Sequence, residues 1–133
     1  MSYTQSAATA TCKFNAPSLK DLITDLFDYC TNHEDELPDT LADYDENDFT
    51  AEVSYYLDLI GDDLTIHYDG EDDHAYSSEV FDFLSAHYAR LMTSKFMKVT
   101  WMIYDSRDGL SAGTDYYDKN NNLIDIDSIL NNA

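Results

Sequence analysis

At 133 residues the chain has room for one packed core and not for two, so residues 1–133 read as a single domain. Its 27 Asp and Glu against 7 Lys and Arg give a formal net charge of -20, which argues against direct binding to nucleic acid or to anionic membranes, since both select Lys and Arg. An aromatic content of 14%, with 11 Tyr and 6 Phe, is too high for a disordered acidic tail, so the chain is expected to fold.

In chain order, residues 8–14 alternate, with Ala10, Cys12 and Phe14 facing one way and Thr9, Thr11 and Lys13 the other, which predicts a half-buried strand. Pro17-Ser18 announces a helix, and Ser18 and Asp21 are spaced like a capping box built with a shorter acid. Leu19, Leu22, Ile23, Leu26, Phe27 and Cys30 recur at helical spacing as its core stripe, while Asp21, Asp25 and Asp28 fall on or near the opposite side. Residues 33–47 form a polar connection with Pro38 and seven acids. From Ala51 the period turns to two. Val53, Tyr55, Leu57 and Leu59 point one way and Glu52, Ser54, Tyr56 and Asp58 the other, predicting a strand. Gly61-Asp62 makes a tight turn, and Leu64, Ile66 and Tyr68 return as its partner strand, exposing Thr65, His67 and Asp69.

Residues 70–74 are a second acidic loop, after which Ser77 or Ser78 is expected to cap a helix. Val80, Leu84, His87, Tyr88 and Leu91 form its expected buried stripe, with Glu79 and Asp82 in its first turn and Arg90 and Lys95 at or just beyond its C-terminal end, as the helix dipole prefers. Residues 96–104 predict a strand with Met97, Val99, Trp101 and Ile103 on one face. A turn at 106–109, a strand at 114–118, a turn at 119–122 and a returning Leu123, Ile124 and Ile126 complete the chain. The fold class is α+β: an antiparallel sheet with two helices on one face, in the ferredoxin-like β-α-β-β-α-β order plus a C-terminal hairpin. Function does not follow from such a topology.

Most catalytic and metal patterns fail on their own chemistry. Gly109-Leu110-Ser111-Ala112-Gly113 matches the nucleophile-elbow spelling, but a strand-like Thr114-Asp115-Tyr116-Tyr117 follows where a helix is required, and no histidine lies downstream of Ser111, so a hairpin connection is expected. Cys30 and His33 offer two zinc ligands with no second pair at ligand spacing. Asp43-x-Asp45-x-Asn47 begins like a calcium loop, yet Asp48 holds the glycine position and Ser54 the bidentate glutamate position. Asp118-x-Asn120-x-Asn122 fails likewise, with Leu123 and Ile129. No glycine-rich phosphate loop exists among 4 glycines. The chain is therefore read as a non-enzyme with no cofactor and no metal. Cys12 and Cys30, with no basic and apolar leader at the N-terminus and no apolar run of membrane-spanning length, are expected to be reduced, partly buried thiols in a cytoplasm.

The charge distribution carries the functional expectation. Residues 21–89 contain no Lys or Arg and hold 21 acids, whereas five of the basic residues fall between 90 and 119. Asp43, Asp45, Glu46, Asp48, Asp58, Asp62, Asp63, Asp69, Glu71, Asp72 and Asp73 are the candidate partner-binding acids. Acids at i and i+4 of a helix, such as Asp21 and Asp25, lie roughly 6 Å apart along its axis, and alternate residues of a strand are spaced by about 6.8 Å. Such intervals are comparable with the gaps between successive phosphates of a nucleic acid strand. Tyr44, Tyr55, Tyr56, Tyr68 and Tyr76 are candidates for amphipathic contact area, against ordinary packing for at least half of them.

In small size, strong acidity, poverty in Lys and Arg and abundance of Tyr, the chain resembles the DNA-mimic inhibitors of phages and mobile elements, of the antirestriction and anti-CRISPR type. The resemblance is one of composition over the whole chain, with no shared motif. It implies an inhibitor in the host cytoplasm that occupies the basic nucleic-acid-binding surface of a CRISPR or restriction complex. An acidic immunity protein or adaptor for another basic partner, and a domain adapted to high salt, are the alternatives, and self-association as a homodimer stays open.

Overall fold

The computed structural model describes residues 4–71, 75–125 and 127, with residues 4, 71 and 75–78 given by backbone alone. Strand β1 (Thr4–Lys13) runs through the middle of the sheet and buries Ala8, Ala10 and Cys12 on one side while Thr9, Thr11 and Lys13 face water, as the alternation predicts. Helix α1 (Leu19–Thr31) starts on Ser18, whose hydroxyl accepts from the Asp21 amide at 3.1 Å. Asp21 is too short to reach back to the Ser18 amide, and its carboxylate instead accepts from the Ser18 hydroxyl at 3.1 Å. Leu22, Ile23, Leu26 and Cys30 are buried along its inner stripe.

The connection after α1 is more structured than its polarity suggests. Short 3-10 turns at Glu34–Glu36 and Asp39–Leu41 lead to helix α2 (Glu46–Ser54), and the latter turn buries Leu41. Helix α2 corrects the expectation of a strand from Ala51. Phe49, Val53 and Tyr56 are buried at i, i+4 and i+7, a helical spacing that overlaps the period-two pattern in the same residues. A nine-residue helix is marginal alone. Packing holds it, with the Phe49 ring edge-on to Phe27 at 5.3 Å between centroids.

Strand β2 is therefore only Leu57–Ile60, and Gly61, at φ 63°, enters the two-residue turn where a side chain would be strained. Strand β3 (Asp63–Glu71) returns with Leu57 opposite Ile66 and Leu59 opposite Leu64. Leu64 and Ile66 are fully buried, each contributing roughly 1.5–3 kcal/mol by leaving water. Helix α3 (Ala75–Leu91) begins before the expected caps Ser77 and Ser78. Its inner stripe is Val80, Phe81, Leu84, Tyr88 and Met92, just past the helix end, while Leu91 is 54% exposed because the i+4 step from Tyr88 falls on Met92.

Strands β4 (Met97–Asp105) and β5 (Gly109–Tyr117) pair along their full length, so residues 109–113 are strand rather than a hairpin connection. Met97 and Val99 are buried as expected, whereas Ile103 lies toward the outer end of β4 and is exposed. The Asp118 carboxylate accepts from the amides of Asn120 and Asn122 at 2.9 and 3.0 Å, turning the chain into the two-residue strand β6 (Leu123–Ile124). Ile126 lies outside the described residues.

The sheet order is β2-β3-β1-β4-β5-β6, with every neighbouring pair antiparallel. The protein is thus α+β, with six strands and, among the described residues, three α-helices instead of two. Buried residues of all three helices join Ala8, Ala10, Leu64, Ile66, Met97 and Val99 in one core. The opposite sheet face, with Thr9, Thr11, His67, Lys98 and Thr100, is exposed.

Candidate acidic interface

The helical layer carries the longest run of acids in the chain with few cations among them. Asp21, Asp25 and Asp28 follow one another at i, i+4 and i+7 on the outer side of α1 and are all exposed. Glu34, Asp35, Glu36, Asp39, Asp43, Asp45, Glu46 and Asp48 continue the layer, exposed, through the two 3-10 turns into α2, and half-buried Glu52 ends it. Among the described residues one cation forms an ion pair here: Arg90, whose Nη1 lies 3.7 Å from Glu36 Oε1.

The structure divides the candidate acids between two sides of the sheet. Asp43, Asp45, Glu46 and Asp48 sit on the helical layer. Asp58, Asp63 and Asp69 project from the open sheet face, as their strand registers require. Lys13 meets Asp62 at 3.6 Å and bonds to Asp63, so one of that corner's two negative charges is offset, and the hydrogen bond to Asp63 together with the charges of both carboxylates holds the Lys13 ammonium above its ordinary pKa. Glu71 is described by backbone alone at the end of β3, and Asp72 and Asp73 lie outside the described residues, as does His74. No single face holds the whole predicted set.

Several of these acids have work within the fold. The Asp45 carboxylate accepts from the Asp48 amide at 2.8 Å as the N-cap of α2, and Glu46 and Asp48 lie in the first turn, where the helix dipole favours negative charge. Both calcium-like spellings are thereby explained: Asp45 caps a helix and Asp118 orders a turn. Asp45→Ala should lower stability by about 1 kcal/mol. Chemical denaturation checks it, and an unchanged midpoint would mean that the cap contributes nothing. Of the tyrosines, Tyr55 is 76% exposed just after α2 and Tyr44 is exposed just before it, whereas Tyr56 is buried and Tyr68 is packed against the core. The Tyr76 side chain is not among those described.

A polar knot between α1 and α3 was not visible in the sequence. Tyr29 donates to Glu36 at 2.6 Å, Arg90 donates to the Tyr29 hydroxyl at 3.1 Å, and the Arg90 guanidinium lies 5.3 Å from the Tyr29 ring centroid. The Tyr29 hydrogen bond holds the Glu36 carboxyl below its ordinary pKa and raises that of the phenol. His33 stacks on Tyr29 at 4.0 Å and His87 approaches the same ring at 4.6 Å. Two of the histidines scattered in sequence therefore converge, across 54 residues, but on an aromatic ring. Among the described residues no three His, Cys, Asp or Glu side chains form a metal-ligand cluster. The only sequence signal was Arg90, the first cation after residue 20.

Cys12 and Cys30 are free and buried, and burial pushes both thiols up to about 11, which makes them poor nucleophiles. Ser111 lies within β5, followed by more strand, so the elbow chemistry has no geometry here. Among the described residues no helix is long and apolar enough to cross a membrane. Compared with protein-family models, with curated proteins and with solved structures, the chain matches none.

Proposed function

We propose that this chain is a binding protein, not an enzyme, that sets its acidic helical layer against the basic nucleic-acid-binding surface of another protein and so competes with DNA or RNA, acting in the cytoplasm. A restriction or CRISPR complex is the target class that the resemblance in composition implies. One observation carries the reading: from Asp21 to Asp48 the layer presents exposed carboxylates and, among the described residues, one cation forms an ion pair with them, Arg90 on Glu36. Charge left uncompensated on one side steers a basic partner and repels other polyanions. Beneath the layer, Phe27 packs edge-on against Phe49 and ties α1 to α2. Strands β2, β3, β1 and β4 are neighbours in that order, and we take them with α1 and α3 as a ferredoxin-like scaffold to which α2, β5 and β6 are additions.

The test is competition. Restriction and CRISPR complexes holding fluorescent duplex DNA are titrated with the protein at low and high salt. Displacement from at least one of them, weakening steeply as salt rises, is the expected result. Release from none, or release that ignores salt, overturns the reading. Binding to a basic toxin without DNA displacement would point to an immunity protein instead.

A further inference from the structure

A row of residues on the helix-facing side of the sheet alternates large and small: Tyr68, Ala8, Trp101, Gly113 are successive cross-strand partners. Ala8 leaves a low floor between two ring walls. Above it, α3 supplies Phe81, Asp82 and Ser85, and the half-open cavity measures about 260 Å³. Among the described residues no Lys or Arg lines it.

Both walls are held by the protein itself. A Cβ at Gly113 would come within 2.7 Å of Trp101 Cζ2, so the indole lies directly on the β5 backbone at the one place where a glycine permits it. Trp101 Nε1 donates to Asp115 at 2.9 Å, and the Tyr68 hydroxyl donates to Ser6 at 3.3 Å. A site whose walls are already fixed loses little freedom when it fills.

The polar groups decide what fits. Ser85 is only 6% exposed, and its Oγ has no hydrogen-bond partner among the described residues, an uncommon state for a buried hydroxyl. Asp82 lines the same cavity from its exposed rim, where partial desolvation raises its carboxyl above the ordinary range, while Asp115 and Asp82 add to the burial that raises the phenol of Tyr117. Aromatic faces and an acid favour a cation. A quaternary ammonium would leave Ser85 unpaired. A guanidinium stacks flat on rings and still donates along its edge, and it sheds water more readily than an ammonium. The volume lies below the usual range for drug-sized ligands and suits one side chain.

We propose that the cavity between α3 and the sheet binds a guanidinium group, stacked against Trp101 and Tyr68 and donating to Asp82 and Ser85. Its source is an arginine of the basic partner, a choice that rests on the function proposed above.

Trp101 is the only tryptophan, so intrinsic fluorescence reports on the cavity directly. Titration with N-acetylarginine amide should give a saturable change, and N-acetylcitrulline amide, the same shape without charge, should bind at least about tenfold more weakly. Asp82→Asn should erase that difference, and Ser85→Ala should weaken arginine binding, with near-ultraviolet circular dichroism reporting that each variant is folded. If either variant fails to fold, amide and indole NMR shifts of the natural chain supply the same test, the Trp101 indole N–H and the Ser85 amide moving with arginine. No saturable response, or an equal response to citrulline, overturns the proposal. Capped Gly-Arg-Gly binding at least as tightly as methylguanidine supports the partner as the source, and exclusion of the peptide while methylguanidine binds overturns that source. These titrations contain no partner protein. Arginine binding without DNA displacement would therefore refute the competition reading alone, and displacement without arginine binding would refute the cavity alone.

Discussion

Exchanging Asp25 and Asp28 together for lysine will weaken binding to the basic partner on the order of 100-fold at low salt, the scale of losing close charge pairs at an interface, while the fold stays intact. Neither carboxylate caps a helix or meets a cation among the described residues, and both are exposed on α1. Each exchange moves the net charge of -20 by two units toward neutrality. Asp28 stands in the last turn of α1, which contains no basic residue and where the helix dipole disfavours an acid. Lysine at that position should therefore stabilise the helix by about 0.3–1 kcal/mol. Stability rising while affinity falls is a signature that damage to the fold cannot produce. Reversal of Asp45, Glu46 and Asp48 lacks this clarity, because it removes the cap of α2 as well as charge. Fluorescence anisotropy of the displaced DNA and a thermal melt of the same sample check both halves. Undiminished competition by the doubly reversed protein would remove the acidic layer from the mechanism.

Acidification will destabilise the protein through His87. This ring is 4% exposed, lies edge-on to Tyr88 at 5.0 Å and accepts from Arg90 at Nδ1 over 3.2 Å. Burial first, then the Arg90 charge, lowers its pKa from 6.5 to about 4, with His33 acting in the same direction and Glu36 against. Above 6.5 the folded and unfolded chains both hold a neutral ring, and His87 contributes no pH dependence. Between 6.5 and about 4 the unfolded chain takes a proton that the folded chain refuses, so stability falls as pH falls. The full shift corresponds to roughly 3 kcal/mol, complete once pH drops below the folded value. Relief of carboxylate repulsion acts in the opposite sense as the acids protonate. The clean measurement is thus the difference in denaturation free energy between the natural protein and His87→Phe, taken at pH 7 and pH 4.5. The natural protein should lose more, and its His87 ring protons should not titrate above pH 5 in NMR. Parallel pH profiles would show that the ring is hydrated in solution.

Pattern and punctuation in the sequence were enough for β1, the cap and stripe of α1, the hairpin through Gly61 and Asp62, and the strand that became β4. In each, apolar residues repeat with one period and a turn or capping residue marks the boundary. Residues 46–54 defeated that approach because Val53 and Leu57 fit period two and Phe49 and Val53 fit the helix equally well. What resolved it was Phe27, waiting on α1 to receive Phe49. The candidate acids were legible as charges but not as a surface. Asp45 became a cap, Asp62 and Asp63 were claimed by Lys13 from a strand about fifty residues away, and Asp58 and Asp69 went to the opposite sheet face.

The amino-acid sequence alone set the strong acidity and an apolar and aromatic content fit for folding, because these are sums over residues that do not depend on where those residues lie, and its local periods and turn residues carried the α+β class. Only tertiary packing decided which carboxylates stand together unpaired, that Tyr29 ties Glu36 to Arg90, that Ala8 leaves room between two rings and that Gly113 makes room for one of them. Those are contacts between residues far apart in the chain, set by strand register and helix docking, and neither is written in any local stretch of sequence.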